Sequence, residues 1–417
     1  MKQFFSKPVT CLCVLTVLCL TPFFTSGCEN SVETDSSNVQ STSQTNASAA
    51  PTSTPLSEDT VTSSAASSSP LPEDAVASPA TSSSPLPEDA VASPAAPTAS
   101  PETVSITISA AGDCTFGTDK SSPASVNFYS VYNRKKNDSY FFKNVKKYFE
   151  KDDLTLVNFE GTLTDSNSRA DKRFAFKGAP SYVNILKKAS IEAVAFANNH
   201  CRDYGEKSYA DTIATFKKSD ITFSSYDKVA IYKVKGKKIG MISVNGLEGL
   251  DYCKGLIKRG MKKLRKKNAD LFIVSMHAGI EHTKTLNATQ TALAHYAVDK
   301  GANLVLGHHP HTLQGIEKYK DSYIVYSLAN FCFGGNTNPS DKDTMIYQQT
   351  FTFENDTLKK DDAVRIIPCR ISSTTAINNY QPTPLKGEEK KRIIQNINSY
   401  SRDFGIAFRK NGKIKKK

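Results

Sequence analysis

Short apolar segments alternate with segments of helical spacing from residue 104 to residue 306, and this alternation limits the fold more than any other feature. Each apolar segment has the length of a buried strand. Strands in alternation with helices are typical of a layered α/β sheet. The predicted strands are 104–110, 154–159, 192–197, 221–224, 271–276 and 303–306, with a hairpin of 231–234 and 238–244 about Lys235-Gly236-Lys237. The predicted helices are 180–188, a segment after Gly205, 255–267 and 289–300.

Two later apolar segments, 323–331 and 347–353, have the pattern of antiparallel strands. A mixture of parallel and antiparallel strands favours two sheets over a single doubly wound sheet. We therefore predict an α/β fold in which a sandwich of two sheets is flanked by helices. The prediction places this fold in one domain, residues 103–417.

The first 28 residues have the pattern of an export signal. Lys2 and Lys7 precede an apolar stretch, 9–20, that is shorter than a typical membrane-spanning helix. Small residues follow and end in Thr25-Ser26-Gly27-Cys28. This resembles a bacterial lipoprotein signal peptide, so we predict that Cys28 is lipidated and anchors an exported protein to the cell membrane. An ordinary cleaved signal or an uncleaved anchor is the alternative, and in each case the part of the chain after residue 28 is expected to be exported.

Residues 29–102 have a composition that cannot form a packed core. They are rich in Ser, Thr, Ala and Pro and hold ten acidic residues but no Lys or Arg. With so few large apolar side chains, burial cannot offset the entropy lost on ordering. The segment 67–80 recurs as 82–95, with a period of 15 residues, and this period is too short and polar for a stacked repeat fold. We predict a disordered spacer.

Polar side chains directly follow five of the predicted strands. They are Asp113, Glu160, Asn199-His200, His277 and His308-His309-Pro310-His311. Loops at the carboxyl ends of strands in α/β sheets converge on the ligand site. The five strands are therefore expected to bring carboxylate, amide and imidazole groups to one edge of the fold.

Histidine is concentrated in one part of the chain, since six of the seven histidines lie between residues 277 and 311. Imidazole and carboxylate ligands together suit Mn, Zn or Fe. In His309-Pro310-His311 the two imidazoles would project the same way from an extended backbone. We predict a site for one or two divalent transition-metal ions. His295 lies within a predicted helix and His282 has no strand end before it, so both are expected to be packed or solvated residues.

Six motifs occur in order between residues 111 and 331. They are Ala111-Gly112-Asp113, Asn158-Phe159-Glu160, Ala197-Asn198-Asn199-His200-Cys201-Arg202-Asp203-Tyr204-Gly205, His277-Ala278-Gly279-Ile280-Glu281, Gly307-His308-His309-Pro310-His311 and Tyr326-Ser327-Leu328-Ala329-Asn330-Phe331. Together they resemble the poly-γ-glutamate (capsule) biosynthesis protein family, the CapA family, over about residues 104–335. That family is similar to the calcineurin-like metallophosphoesterases, whose two-sheet sandwich holds two metals. The resemblance implies a metallo-dependent phosphatase-like fold.

The resemblance also implies roles for individual side chains. The implied metal ligands are Asp113, Glu160, Asn199, His277, His309 and His311. The implied substrate-binding residues are Asn198, Glu281, His308 and Asn330. His200 would be the catalytic acid, with Asp203 able to orient it, although Asp203 fits a turn before Tyr204-Gly205 equally well. No Asp-x-His follows the first strand, so one imidazole of the phosphoesterase set is missing and Glu160 is the expected substitute.

The charge of the chain indicates an anionic partner. The net charge is +12, and the folded part is more basic still because the spacer is acidic. Nucleic acid is not predicted as a partner of an exported protein. An anionic surface polymer such as poly-γ-glutamate is the expected partner, together with subunits of a membrane synthase.

The resemblance implies a role in the biosynthesis of poly-γ-glutamate or another surface polymer. The alternative is an extracellular metal-dependent hydrolase that cleaves a phosphoester or an amide. The sequence alone does not decide between catalysis and binding. Since no GxxxxGK[ST] motif for ATP occurs, the chain is not predicted to be the polymer ligase.

Overall fold

The computed structural model describes residues 102–359 and 363–415. The predicted signal peptide, 1–28, with its lipidation site Cys28, lies outside these residues, as does the predicted spacer up to residue 101. These assignments and the domain boundary at residue 103 therefore stay predictions. Among the helices of the described residues, none is both long enough and apolar enough to cross a bilayer.

The described residues form strands and helices in layers. The strands are β1 (Thr103–Thr115), β2 (Leu154–Phe159), β3 (Thr162–Leu163), β4 (Lys177–Gly178), β5 (Ala193–Ala195), β6 (Thr222–Ser224), β7 (Ala230–Val234), β8 (Lys237–Asn245), β9 (Leu271–His277), β10 (Leu304–His308), β11 (Ile316–Tyr319), β12 (Ser322–Val325), β13 (Asn330–Phe333), β14 (Asp343–Glu354), β15 (Thr357–Leu358), β16 (Val364–Arg370) and β17 (Thr383–Pro384). The α-helices are α1 (Phe128–Lys135), α2 (Lys146–Phe149), α3 (Val183–Ala189), α4 (Gly205–Lys218), α5 (Leu250–Lys266), α6 (Ala288–Asp299) and α7 (Gly387–Tyr400).

Two sheets account for most of the strands. The larger runs in the order β17-β16-β14-β1-β2-β5-β6, with β13 also paired to β1 and β15 to β14. The smaller runs in the order β11-β12-β10-β9-β8-β7, and β3 pairs separately with β4. Strands β1, β2, β5 and β6 are parallel, as are β8, β9, β10 and β12. Each sheet therefore has a parallel part whose carboxyl ends share one edge.

The two sheets pack face to face, because alternate side chains of their strands share one apolar core. Ile108 of β1 belongs to the same buried cluster as Ile239 and Met241 of β8. The next residue of β8, Ile242, points the other way, toward α5. There a Cβ added at Gly260 would lie 2.8 Å from Ile242 Cδ1. The predicted two-sheet sandwich flanked by helices is confirmed.

The segment 323–331 is not one antiparallel strand, because it contributes to two sheets and only its first part has an antiparallel partner. Strand β12 pairs parallel with β10 and antiparallel with β11, whereas β13 pairs parallel with β1. Every residue of both strands is buried, so the apolar pattern gives no sign of the break between them. The other segment, 347–353, does lie in an antiparallel strand, since β14 pairs antiparallel with β1 and β16.

Residues 326–329 form a crossover that joins the smaller sheet to the larger one. Leu328 N–H donates to the Gly307 carbonyl at 3.1 Å, which ties the crossover to β10. Asp113 N–H donates to the Ala329 carbonyl at 2.9 Å, which ties it to β1. The crossover therefore lies at the edge where the carboxyl ends of both sheets meet.

Candidate metal centre

The carboxyl ends of β1, β2, β5, β9 and β10 meet at one edge of the sandwich. The polar residues that follow these strands come within hydrogen-bond or ion-pair distance of one another across the gap between the sheets. The larger sheet contributes Asp113, Glu160 and Asn199. The smaller sheet contributes His277 and the segment 308–311.

Asp113 lies at a bulge near the end of β1, where the pairing register with β2 shifts after Ala111. Its buried carboxylate accepts a hydrogen bond from Asn158 Nδ2 at 2.9 Å. Oδ1 lies 3.2 Å from His308 Nδ1, and Oδ2 lies 3.3 Å from His311 Nδ1. Burial alone would raise the pKa of Asp113, but the two imidazoles hold that pKa well below its usual range. Asp113 is therefore an ionised carboxylate.

Glu160 is a buried carboxyl group for which no hydrogen-bond partner exists among the described residues. Its Oε1 lies 3.6 Å from His277 Nε2, 3.8 Å from His311 Nε2 and 4.0 Å from His200 Nε2. Burial raises the pKa of Glu160 well above its usual value, and the proximity of His311 offsets this only in part. An unsatisfied buried polar group costs about 1–3 kcal/mol, so its presence needs an explanation.

His277 ends β9, and both of its ring nitrogens contact amide groups. Nε2 lies 2.8 Å from Asn199 Oδ1, and Nδ1 lies 3.3 Å from Asn158 Nδ2. Burial, together with the nearby His309 ring, lowers the pKa of His277 well below its usual value. The imidazole is therefore neutral, and the two amides fix which nitrogen carries its proton.

Residues 308–311 form a turn, so the extended backbone expected around Pro310 is wrong. His309 has φ +96° and His311 has φ +55°. Residues other than glycine are strained at such angles, and this strain is concentrated at functional sites. His309 Nδ1 is buried, and no described residue offers it a hydrogen bond. The turn brings the His309 N–H to 3.4 Å from Asp113 Oδ2.

His200 contacts the residue that was predicted to orient it. Its Nδ1 lies 2.7 Å from Oδ2 of the buried Asp203. Asp203 also accepts hydrogen bonds from the Phe176 N–H at 2.6 Å and from Lys172 Nζ at 2.8 Å. Burial lowers the pKa of His200, although Asp203 acts in the opposite direction. With Nδ1–H directed to Asp203, Nε2 faces Glu160 and the centre.

The donor set of this centre fits a divalent transition metal. Ligand atoms of Asp113, Glu160 and His311 lie within 4.8 Å of one another, and so do those of Glu281, His309 and His311. The carboxylate of Glu160 and Nδ1 of His309 lack hydrogen-bond partners among the described residues, as expected of groups whose partner is an ion. Carboxylate and imidazole ligands are those of Mn, Zn and Fe sites.

The family model described as bacterial capsule synthesis protein PGA_cap matches residues 107–335, which is more than half of the chain. The chain belongs to this family. The matched region contains all six motifs and the whole metal centre. The membership that was predicted from the motifs is therefore confirmed.

The chain is similar in sequence to three proteins whose names refer to capsule or polymer synthesis. It is 31% identical over 264 residues to the capsule biosynthesis protein CapA of Bacillus anthracis, covering 57% of this chain and 62% of that protein. It is 29% identical over 300 residues to the PGA biosynthesis protein CapA of Bacillus subtilis, covering 66% and 74%. A probable polyglutamine synthesis accessory protein of Mycobacterium tuberculosis is 24% identical over 208 residues, covering 43% and 55%. The chain thus spans less than two thirds of the Bacillus anthracis protein.

Two residues that were predicted to bind substrate, Asn198 and Asn330, make hydrogen bonds to neighbouring groups of the centre. Asn198 is buried, with Oδ1 accepting from the His200 N–H at 3.0 Å and Nδ2 donating to the Phe159 carbonyl at 2.8 Å. Asn330 Oδ1 lies 2.9 Å from His311 Nδ1. Both amides fix the position of an imidazole-bearing residue, and their predicted contact with substrate stays a prediction.

A cavity of about 270 Å³ opens beside the centre. Phe176 and Phe333 line it, and so does Glu281, an exposed residue predicted to bind substrate. His308, predicted for the same role, is buried next to Asp113, and its contact with substrate stays a prediction. His282 is exposed and lines the cavity, and it belongs to neither group of metal-ligating atoms found among the described residues. His200 and His311 also line this cavity, so it adjoins the side chains of the centre directly.

The sequence did not single out two polar residues that support the centre. Asn158 bonds to Asp113 and contacts His277, and the available signal was its place in the Asn158-Phe159-Glu160 motif. Lys172 Nζ donates to Asp203 Oδ1 and to the Asn199 carbonyl, each at 2.8 Å. It lies in an irregular segment between β3 and β4, where neither a strand end nor a motif marked it.

We expect metal affinity to rise with pH. Burial lowers the pKa of His311, but the negative charges of Glu160 and Asp113 outweigh burial and raise that pKa to about 9. An ion must displace the His311 proton, whereas the pKa of His309, lowered by burial to about 4, leaves the lone pair of that ring free. The Kd for Mn(II) should fall roughly tenfold per pH unit for each proton released. Calorimetric titrations between about pH 6 and pH 8 would check this, and a constant Kd would contradict it.

Proposed function

We propose that the protein acts in the biosynthesis of poly-γ-glutamate or a related anionic surface polymer, as an exported protein anchored to the membrane through Cys28. Membership of the capsule synthesis family supports the pathway. The names of the Bacillus relatives, capsule biosynthesis protein and PGA biosynthesis protein, support it further. The signal-like sequence of residues 1–28 supports export and anchoring.

The observation that carries a metal-dependent role is the buried Glu160 carboxyl among three imidazoles. Asp113, Glu160, Asn199, His277, His309 and His311 would hold one or two ions of Mn, Zn or Fe. A bound ion of this kind acts as a Lewis acid that polarises a phosphoryl or carbonyl oxygen. The chain itself supplies the enclosure: Phe176 and Phe333 form an apolar wall beside the centre.

The basic face of α5 supports an anionic polymer as partner. Lys258, Lys262 and Lys266 are exposed on this helix. Arg259 Nε lies 3.1 Å from a carboxylate oxygen of Asp227, so its charge is partly neutralised. A concentration of positive charge attracts a polyanion over long range and raises its local concentration. The same attraction would act on a polymer released by subunits of a membrane synthase. We propose these subunits as protein partners.

The double variant His309→Ala/His311→Ala tests the proposed role. We expect it to lose bound metal and to leave surface polymer at the level of a strain that lacks the gene, because two of the imidazole ligands are gone. The measurements are metal content of the purified chain by elemental mass spectrometry and polymer per cell in the complemented deletion strain. A variant that lost its metal but restored full polymer would contradict the metal-dependent role.

His295→Ala is the matched control. His295 lies on α6, where Nε2 bonds to Glu317 Oε2 at 3.0 Å and the ring stacks on Tyr319. It contributes nothing to the centre, so metal content and polymer should both match the wild type. If the deletion strain itself has normal polymer, the proposed pathway is wrong whatever the metal result.

A metal-dependent extracellular hydrolase is the second candidate function, and the His200–Asp203 pair favours it. Asp203 Oδ2 holds Nδ1 of His200, so Nε2 is the nitrogen free to exchange a proton at the centre. Lys172 anchors the same carboxylate through Oδ1. Phe176 packs against the imidazole with ring centroids 4.4 Å apart. These contacts fix the tautomer and direction of the ring, which general acid–base catalysis requires.

We expect His200→Ala to retain metal while losing turnover of a phosphoester or glutamyl amide by about 10²–10⁴-fold, the usual contribution of a general acid–base group. Turnover and metal content are measured on the same preparation. Full turnover with metal retained would remove His200 from the catalytic role. Absence of turnover in the wild type with every substrate of both classes would leave the polymer role as the sole account.

A further inference from the structure

Four lysines line a cavity of about 680 Å³ between α2 and α7. Lys143 and Lys147 lie on the side of α2, and Lys386 and Lys390 lie on the side of α7. Strand β17 forms part of the wall between them. None of the described residues that line this lysine cavity is acidic. The cavity therefore concentrates positive charge on a concave surface.

The protein does not neutralise the charges of these four lysines. None of them makes an ion pair with a described residue, although two glutamates lie in the first turn of α7. Glu388 Oε2 lies 3.1 Å from Lys391 Nζ, and Glu389 Oε1 lies 3.0 Å from Arg370 Nη1. Both carboxylates are thus paired with cations outside the cavity. An anionic ligand would meet four uncompensated ammonium groups.

A different basic cavity, of about 500 Å³, shows the contrast. Three of its basic side chains are paired with carboxylates. The pairs are Lys284 with Asp341 at 2.7 Å, Arg370 with Glu389 at 3.0 Å and Arg392 with Asp343 at 2.7 Å. In that cavity the protein supplies the counter-charges itself. The lysine cavity differs because its described lining residues offer no such partner.

Hydrogen bonds hold the walls of the lysine cavity in place. Asn144 Nδ2 donates to Thr383 Oγ1 at 2.8 Å, which ties the segment before α2 to β17. Leu385 N–H donates to the Pro368 carbonyl at 2.9 Å, which ties the segment after β17 to β16. The backbone around the lysines is therefore fixed before a ligand arrives. Binding needs to order only the lysine side chains, which lowers its entropic cost.

The lysine cavity is separate from the metal centre. None of its lining residues also lines the cavity beside the centre. Strand β17 lies three strands away from β1, the strand that carries Asp113. Because neighbouring strands are about 4.8 Å apart, this separation is roughly 14 Å. A ligand in the lysine cavity would leave the metal ligands untouched.

Positive charge continues on the other side of α7. A cavity of about 400 Å³ is lined there by Lys391, Arg409, Lys410 and Lys415, and none of its described lining residues is acidic. Lys390 and Lys391 are consecutive in the chain, yet they line different cavities. A flexible anionic chain longer than the lysine cavity would therefore meet further basic side chains.

We propose that the lysine cavity binds a segment of a linear polycarboxylate, at a site separate from the metal centre. This inference rests on the proposed function and names the surface that holds the polymer. A lysine ammonium is a point charge on a flexible stem, so successive lysines fit successive carboxylates of one chain. A bilayer fits less well, because none of the exposed large apolar side chains of the described residues lines this cavity, and such side chains attach proteins to membranes.

The test is binding of a short, fluorescently labelled poly-γ-glutamate to the purified full-length chain in about 0.1 M salt, measured by fluorescence anisotropy. The variant is Lys143→Gln/Lys147→Gln/Lys386→Gln/Lys390→Gln. Each exposed ion pair contributes a factor of roughly 1.5–5 in affinity. We therefore expect the variant to bind about tenfold or more weakly than the wild type, with an unchanged midpoint of unfolding.

The matched control removes four charges at the opposite end of the larger sheet, near β6. It replaces exposed lysines of α4, β7 and the segment between β6 and β7, as Lys217→Gln/Lys218→Gln/Lys228→Gln/Lys233→Gln. Strand β6 lies six strands from β17, whereas charges more than about 10 Å apart are largely screened in 0.1 M salt. The control should therefore bind the polymer less than about threefold more weakly than the wild type.

Four outcomes would overturn the lysine cavity as the polymer site. Unchanged affinity in the cavity variant would mean that the polymer binds elsewhere. Equal losses in the variant and the control would mean that net charge alone attracts it. Unchanged polymer affinity with weaker binding to phosphatidylglycerol vesicles would assign the cavity to the membrane. No binding by the wild type would refute this inference, whereas the proposed function would still be decided by the polymer content of the deletion strain.

Discussion

Replacing Glu160 with methionine is expected to raise the free energy of unfolding of the metal-free protein by about 1–3 kcal/mol and to abolish its stabilisation by metal. Both oxygens of Glu160 are buried without a hydrogen-bond partner among the described residues. A flexible apolar side chain of similar length removes that unsatisfied group and still fills the space. His311 keeps a carboxylate partner, because Asp113 Oδ2 lies 3.3 Å from its Nδ1. A bound metal ion, in contrast, would lose a carboxylate ligand that lies near three imidazoles.

The opposite signs of these two effects make the experiment decisive. Wild type should gain about 2.7 kcal/mol when the metal concentration is 100 times its Kd, and Glu160→Met should gain nothing. The measurement is denaturant unfolding of both proteins with a chelator and with Mn(II). Glu160→Gln is the control, since it removes the charge but keeps an unsatisfied polar group, and it should lose metal without gaining stability. If metal-free Glu160→Met were less stable than the metal-free wild type, the assignment of Glu160 as an unsatisfied buried ligand would be wrong.

Replacing Gly112 with alanine is expected to destabilise the fold by at least about 3 kcal/mol, the upper range for overpacking a core. The added Cβ would lie 1.8 Å from the Ala329 carbonyl oxygen and 2.8 Å from that of Leu328. Both obstacles are backbone atoms of the crossover, which cannot rotate away as a side chain can. Relief would require β1 to move from the crossover and would break the bond from Asp113 N–H to Ala329.

Gly255→Ala is the matched control and should have the opposite sign. Gly255 lies within α5, where an added Cβ meets the flexible end of Arg259, with Nη1 at 3.2 Å. Alanine in a helix is more stable than glycine by about 0.5–1 kcal/mol. Thermal and denaturant unfolding of both variants would check the contrast. If Gly112→Ala were as stable as the wild type, the backbone of the crossover would move aside at no cost in free energy, and the prediction would be wrong.

Residue type and order were enough to predict the site's components but not their contacts. Asp113, Glu160 and His277 follow buried strands, and parallel strands bring their carboxyl ends to one edge. The pattern therefore predicted that these side chains would meet. It could not predict that Glu160 would lack a hydrogen bond, because that depends on which nitrogens of three distant histidines face it.

The errors have a common physical origin in the backbone between strands. The turn at His309 and His311 has positive φ, and the sequence predicted an extended backbone because neither position holds glycine, the usual residue at such angles. The crossover at 326–329 lies between two fully buried strands, so apolar periodicity continues through it. Lys172 reaches Asp203 from an irregular segment, whose path is set by tertiary contacts.

The crossover at 326–329 lies beside the metal centre, and this has a consequence for the rigidity of the sandwich. Asp113 and Glu160 belong to one sheet, and His277 and His311 to the other, so an ion held by all of them would cross-link the two sheets at an edge where the crossover already joins them. Such a cross-link opposes separation of the sheets at this edge. Binding of metal would therefore make this edge of the sandwich more rigid.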